Sequence, residues 1–158
     1  MLKIMFNSKE HEEFYLEMLS KFRIVQVYHK AFFYCMGACD VTRDNIDALF
    51  DFQTGGIRPD NLHQGFQTGT SYKVTRMAFN LWNGYVEEGE EKLMSPSELF
   101  ACTYGDEFHQ AIQLRYPEYN REQEVDIVSV VEKLARKRQE TSGQVDQKFL
   151  AESKDGER

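Results

Sequence analysis

The fold is decided by the stretch Ser71-Tyr72-Lys73-Val74-Thr75-Arg76-Met77-Ala78-Phe79-Asn80-Leu81-Trp82-Asn83-Gly84. Its apolar residues recur at intervals of three and four, which is the spacing of one face of an α-helix. Asn83-Gly84 supplies a stop signal at the end of this pattern. We therefore predict a helix over 71–83, and we predict that Met77 and Trp82, which share its apolar stripe, are buried.

The same periodicity predicts further helices on both sides of this stretch. One covers 8–21, with Asn7 as its N-cap, and one covers 25–38, whose side chains are apolar nearly all round, so it belongs in the middle of the core. Short helices are predicted after Thr42 and after Ser95, and longer ones over 106–116 and 121–140. Residues 51–70 are rich in turn-forming residues, and from Thr141 the chain is polar.

The predicted fold class is all-α. We expect one domain of about seven short helices over 1–140, with its last helix over 121–140. We also expect a flexible, disordered C-terminal tail over 141–158, because that segment has little apolar surface to bury.

Composition narrows the class of protein. The chain has 158 residues, 41% of them hydrophobic, and a net charge of −7. No run of 18 apolar residues is present, and acidic Glu10 comes too early for the apolar part of a signal peptide, so we expect a cytoplasmic protein. An acidic domain is repelled by nucleic-acid phosphates unless its basic residues cluster on one face.

The three cysteines are Cys35, Cys39 and Cys102. Cys35 and Cys39 lie one helical turn apart, and Cys102, His29 and His109 could supply further zinc ligands. Two cysteines separated by three residues within one apolar helix are, however, more typical of reduced, buried thiols. We therefore predict no metal and no cofactor.

The sequence has no recognisable catalytic motif. A nucleophile elbow, a zinc-protease motif and a dinucleotide-binding loop are all lacking. His109, with Glu107 and Asp106 close by, could serve acid–base chemistry, although a histidine on a helix surface more often has no such role. We predict no catalytic residues, and an enzyme with an unrecognised site stays an alternative.

The start of the 71–83 helix is a candidate anion site. Thr70 and Ser71 bring hydroxyl groups to a helix N-terminus, where free N–H groups and the dipole favour an anion. Lys73 and Arg76, three residues apart, lie on a face away from the apolar stripe. We expect either phosphate or nucleic-acid binding here, or an ordinary capped helix with two solvated basic side chains.

Two groups of acidic residues are candidates for a surface that binds a protein. One group shares a face of the first helix, and the other forms a loop before Ser95. Such rows can take the place of phosphates in a groove lined by Arg and Lys, although solubility is their commoner role. The residues are Glu10, Glu13 and Glu17 in the helix, and Glu87, Glu88, Glu90 and Glu91 in the loop.

The block Thr68-Gly69-Thr70-Ser71-Tyr72-Lys73-Val74-Thr75-Arg76-Met77-Ala78-Phe79-Asn80-Leu81-Trp82-Asn83-Gly84 resembles the core of an uncharacterised family. That family is a domain of unknown function found in short proteins of Gram-positive bacteria, their phages and mobile elements. The likeness covers about 6–120, including Pro96-Ser97-Glu98-Leu99-Phe100, and 121–158 looks like an extension. The resemblance implies a setting of mobile elements, but no activity, ligand or catalytic residue.

Three hypotheses of function follow. The first is a non-enzymatic binding or regulatory protein of phage or mobile-element origin, whose sharpest version inhibits a host defence nuclease in the manner of an anti-CRISPR protein. The second is a nucleic-acid or nucleotide binder that uses the cationic helix start at Thr70–Arg76. The third is the enzyme with an unrecognised site. A protein partner is expected under the first hypothesis, and no membrane under any of them.

Overall fold

The computed structural model describes residues 2–121 and 127–154, with side chains described through residue 145. The chain divides into two units, Met1–Asn120 and Arg121–Arg158. In the first unit the α-helices are α1 (Lys9–Ser20), α2 (Val27–Gly37), α3 (Asp40–Asp44), α4 (Ile46–Leu49), α5 (Gly69–Asn83), α6 (Pro96–Leu99) and α7 (Gly105–Arg115). The predicted all-α class is confirmed.

Helix α2 is the centre of the first unit. Every residue from Ala31 to Gly37 is buried, and the helix packs against α1, α5 and α7. A helix that is apolar on all sides can be covered only by neighbours on several sides, which is the arrangement found here. The predicted central position of this helix is confirmed.

Helix α5 carries the stripe on which the fold prediction rests. Val74, Met77 and Leu81 are buried as predicted, and Gly84 ends the helix in the left-handed conformation, with φ of 80°. The prediction that Trp82 is buried is wrong, because Trp82 is only partly buried. It lies in the last turn of α5, next to exposed Asn83.

Helix α1 begins one residue later than predicted. Its N-cap is Ser8, whose side chain accepts a hydrogen bond from the backbone of His11, and not Asn7. The Asn7 amide instead donates to the carbonyl of Ala38, beyond the end of α2, at 2.9 Å. Asn7 therefore ties the start of α1 to the end of α2.

The predicted turn region holds a small hairpin. Strand β1 (Phe50–Asp51) pairs with the antiparallel strand β2 (Gly56–Ile57), and Gly55 occupies the tight turn with φ of 72°. Short 3-10 helices follow at Pro59–Asn61, Glu91–Met94 and Pro117–Tyr119.

The second unit contains one long helix, α8 (Ile127–Lys154). The helix thus continues well past residue 140, into the segment for which a flexible tail was expected. No proline follows residue 140, and Gln, Glu, Lys and Ala favour helix, although Gly143 does not. The first residues of the predicted 121–140 helix, 122–126, lie outside the described residues, as do 155–158. Described side chains from 130 to 145 are exposed.

Candidate functional site

The hydroxyl groups at the start of α5 bond within the protein. The Ser71 backbone N–H donates to Thr68 Oγ1 at 3.1 Å, and the Thr68 N–H donates to Ser71 Oγ at 2.7 Å. Ser71 is fully buried, and its hydroxyl also donates to the side chain of Gln67. This reciprocal capping box uses two backbone N–H donors, the groups that an anion would need.

The two basic side chains of α5 are also engaged. Lys73 donates through Nζ to the carbonyl of Glu98 in α6. Arg76 is only 14% exposed, lies 3.6 Å from a carboxylate oxygen of Glu87, and stacks over the ring of Tyr72. Arg76 is therefore not the solvated side chain that the alternative of an ordinary capped helix expected. Thr70 is partly buried in the first turn of this helix, and both Lys73 and Arg76 already have partners within the protein.

The acidic row of α1 is arranged as predicted. Glu10, Glu13 and Glu17 are all exposed, and Lys9 lies 3.2 Å from Glu13. In the described part of the chain, Glu10 and Glu17 form no ion pair. Because the side chains are spaced by three and four residues, they project from one side of the helix. We call Glu10, Glu13 and Glu17 the α1 acidic row.

The acidic loop is less uniform than predicted. Glu88 and Glu91 are exposed and Glu90 is partly buried, whereas Glu87 bonds to the ring of His63 and pairs with Arg76. Backbone hydrogen bonds from Glu91 itself and from Gly89 lower the pKa of the Glu91 carboxyl. Glu87 is therefore part of a structural ion pair, and the loop offers a smaller acidic surface than its sequence suggests.

The three cysteines are free thiols. Cys35 and Cys39 are buried, and Cys35 Sγ donates to the carbonyl of Val74 at 3.6 Å. Burial raises the pKa of the Cys35 thiol, which keeps it in the unreactive neutral form. Within the described ranges, no group of three or more His, Cys, Asp or Glu side chains could hold a metal ion.

A cleft of about 380 Å³ lies between residues 5–7, Tyr34 of α2 and one side of α7. It brings together Asp106, Glu107 and His109, the residues singled out from the sequence for acid–base chemistry. Its other wall forms because the Met5 backbone N–H donates to Gln110 Oε1 at 3.0 Å. The sequence signal, two acids and a histidine in the first turns of α7, was visible, but the segment that closes the cleft was not.

No described helix has the length and apolarity needed to cross a membrane.

Of three comparisons with known proteins, one gave a match. No curated protein and no solved structure matched the chain. One family model matched residues 1–127, a somewhat longer range than the 6–120 of the predicted resemblance. The chain therefore belongs to DUF6075, a family of unknown function.

Proposed function

We propose that this protein is a non-enzymatic regulator that binds a cationic surface of another protein through the α1 acidic row. In the sharpest form of the proposal, the partner is a host defence nuclease such as a CRISPR effector. The protein would then come from a phage or mobile element and act in the cytoplasm of a Gram-positive host. The observation that carries the proposal is the exposure of Glu10, Glu13 and Glu17 on one side of α1.

The dimensions of the row suit a groove that normally holds nucleic acid. Glu10 and Glu17 are seven residues apart, so the row extends over about 10 Å of helix. Three carboxylates at this spacing present a line of negative charge to Arg and Lys side chains. Complementary charge of this kind speeds association and selects the partner.

The position of Glu17 supports a role in binding over a role in helix stability. Glu17 lies in the last turn of α1, where the helix dipole disfavours a negative charge, and that turn has no basic residue. A row selected only to stabilise the helix would concentrate its acids in the first turn. The charge at Glu17 is more readily explained by an external partner.

The alternative of nucleic-acid binding through Thr70–Arg76 has less support. Lys73 bonds to a backbone carbonyl and Arg76 pairs with Glu87, so a phosphate would compete with partners that both side chains already have. The enzymatic alternative keeps the cleft that holds His109, but no reaction follows from that grouping.

The nuclease proposal is tested by titration. Purified CRISPR effectors and other DNA-cleaving defence nucleases of Gram-positive bacteria are mixed with the protein, and DNA binding and cleavage are measured. We expect at least one nuclease to lose DNA binding at a near-equimolar dose. Inhibition at doses far below equimolar would contradict a non-enzymatic mechanism, and a lack of effect on every nuclease would contradict this choice of partner.

The role of the α1 acidic row is tested by charge reversal. Glu10→Lys, Glu13→Lys and Glu17→Lys together should slow association with an inhibited nuclease, more at low salt than at high salt. Asp44→Lys, Asp47→Lys and Glu118→Lys form a matched control, because these three acids are also exposed and the change in charge is the same. Equal effects of the two triple variants would mean that only net charge matters.

A further inference from the structure

The cleft between residues 5–7 and α7 is lined by acidic side chains. Its walls include two carboxylates, Asp106 and Glu107, and none of the described residues that line it is Lys or Arg. We propose that this cleft is a binding site for an organic cation with a guanidinium group. The proposal concerns a site away from the α1 acidic row and does not depend on inhibition of a nuclease.

Several hydrogen-bond donors of the cleft are already engaged within the protein. The Tyr34 hydroxyl donates to the carbonyl of Met5, and the side-chain amides of Asn7 and Gln110 donate to Ala38 and Gln113. Donors already engaged with protein acceptors are less available to an anion or a carbonyl. Within the described part of the chain, neither the Asp106 nor the Glu107 carboxylate has a hydrogen bond or an ion pair, so both carboxylates can accept from a cation.

Glu107 provides the most specific observation. Its Oε2 is buried and has no hydrogen-bond partner among the described residues. Glu107 is the third residue of α7, where a glutamate commonly bonds back to the N-cap backbone, but α7 has no such capping bond. A carboxylate that is partly desolvated and unpartnered is costly, and its energy falls when a cation binds.

The other carboxylate oxygen gives the ligand its point of contact. Glu107 Oε2 is buried and has no hydrogen-bond partner, whereas Oε1 is not among the buried, unpartnered atoms of the described residues. Oε1 is therefore the oxygen of this carboxylate that a group in the cleft can reach. Tyr34 and Glu107 line the same cleft, and burial and then the charge of Glu107 raise the pKa of Tyr34. A cation bound at Oε1 would therefore also lie near an aromatic ring, a favourable neighbour.

The size and apolar parts of the cleft indicate a cation on an alkyl chain. A volume of about 380 Å³ lies within the range of small-ligand sites. Met5 and Phe6 contribute apolar surface next to the carboxylates. Such a site fits the methylene stem and charged head of a free alkylguanidine, or of an arginine side chain of another polypeptide.

The test uses the full-length protein and four probes. Butylguanidine represents the free small molecule, and N-acetylarginine amide represents an arginine of a polypeptide, while butylurea and N-acetylcitrulline amide are their neutral counterparts. Two-dimensional NMR follows the backbone amides of residues 5–7 and the side-chain amides of Gln110 and Gln113. We expect saturable chemical-shift changes with at least one guanidinium probe and none with its neutral counterpart. Tighter binding of butylguanidine would indicate a free small molecule as the ligand, and tighter binding of N-acetylarginine amide would indicate an arginine side chain of a polypeptide.

Variants distinguish binding of the cation in the cleft from its general attraction to an acidic protein. Glu107→Gln should weaken binding of the guanidinium probe by about tenfold or more, since it removes a charged hydrogen-bond acceptor. Glu118→Gln, a matched change at an exposed acid outside the cleft, should leave binding unchanged. Asp106→Asn, exposed and therefore safe for folding, should also weaken binding.

Three results would overturn the proposal. One is the absence of saturable shifts at these amides with either guanidinium probe. Another is equally tight binding of a neutral counterpart. The third is unchanged binding in folded Glu107→Gln, as judged by circular dichroism, or in Asp106→Asn if Glu107→Gln does not fold. None of these results depends on the nuclease assay.

Discussion

Acidification should destabilise the first unit because His11 is buried in its neutral form. The side chain is fully inaccessible to solvent. The Asn7 backbone N–H donates to His11 Nδ1 at 3.3 Å, so Nδ1 carries a lone pair, and Nε2–H then donates to the carbonyl of Tyr34 at 2.7 Å. The neutral ring satisfies both bonds, whereas a proton on Nδ1 would face the N–H of Asn7.

The direction and size of the effect follow from the pKa of His11. Burial lowers that pKa from 6.5 to about 4, against a smaller opposing effect of the bond to Tyr34. Because the folded value lies below the unfolded one, the unfolded chain takes up its proton first as the pH falls. The contribution of His11 is thus fully present above pH 6.5 and is lost between 6.5 and about 4. At pH 5 we expect a loss of about 2 kcal/mol of unfolding free energy relative to pH 7.

Urea unfolding at pH 7 and pH 5 tests this prediction. His11→Gln keeps a donor and an acceptor near the same partners but cannot titrate, so it should lose about 2 kcal/mol less than the wild type on acidification. Exposed His109→Gln is the control and should keep the full wild-type loss. Burial also lowers the pKa of His29, so some loss should remain in every variant. Equal losses in wild type and His11→Gln, or an NMR titration of folded His11 near 6.5, would refute the argument.

Three further predictions concern stability. A Cβ at Gly37 would lie 2.8 Å from His11 Cδ2 and 2.9 Å from Phe14 Cδ1, so Gly37→Ala should cost about 1–3 kcal/mol in urea unfolding; a neutral or stabilising effect would mean that these rings move freely. Trp82→Ala should cost about 3 kcal/mol, the lower end for a tryptophan, because the ring is only partly buried; a cost near zero would mean that its ring contacts contribute nothing. A chain ending at Glu140 should keep its thermal midpoint within a few degrees, since the described side chains of 141–145 are exposed; a large drop would show that the removed residues pack against a core.

Much of the fold could be predicted because its signals are local. The spacing of apolar residues within α2 and α5 indicates which side of each helix is buried. Gly84 ends α5 in the left-handed conformation, which few residues other than glycine adopt. The errors fall where residue type leaves a choice. Asn7 and Ser8 are both good caps, and only the bond from Asn7 to Ala38 assigns the cap to Ser8.

The candidate sites were predictable to a smaller extent. The exposure of the α1 acidic row follows from helix periodicity, so it could be predicted. The pairing of Arg76 with Glu87 could not, because it depends on how the loop after α5 folds back. The cleft depends on a bond between Met5 and Gln110, residues 105 positions apart, and no local pattern reports on such a contact.

Binding through the α1 acidic row is measured most directly by capture of the partner with matched variants. The protein is immobilised and exposed to a nuclease-treated lysate of a Gram-positive bacterium, and bound proteins are quantified by mass spectrometry before and after elution with DNA. We expect the protein to capture a DNA-cleaving protein that DNA displaces. The Glu10/Glu13/Glu17→Lys variant should fail to capture it, and the Asp44/Asp47/Glu118→Lys variant should retain it. Undiminished capture by the first variant, with loss of capture in Lys73→Ala or Arg76→Ala, would contradict it and favour the cationic start of α5.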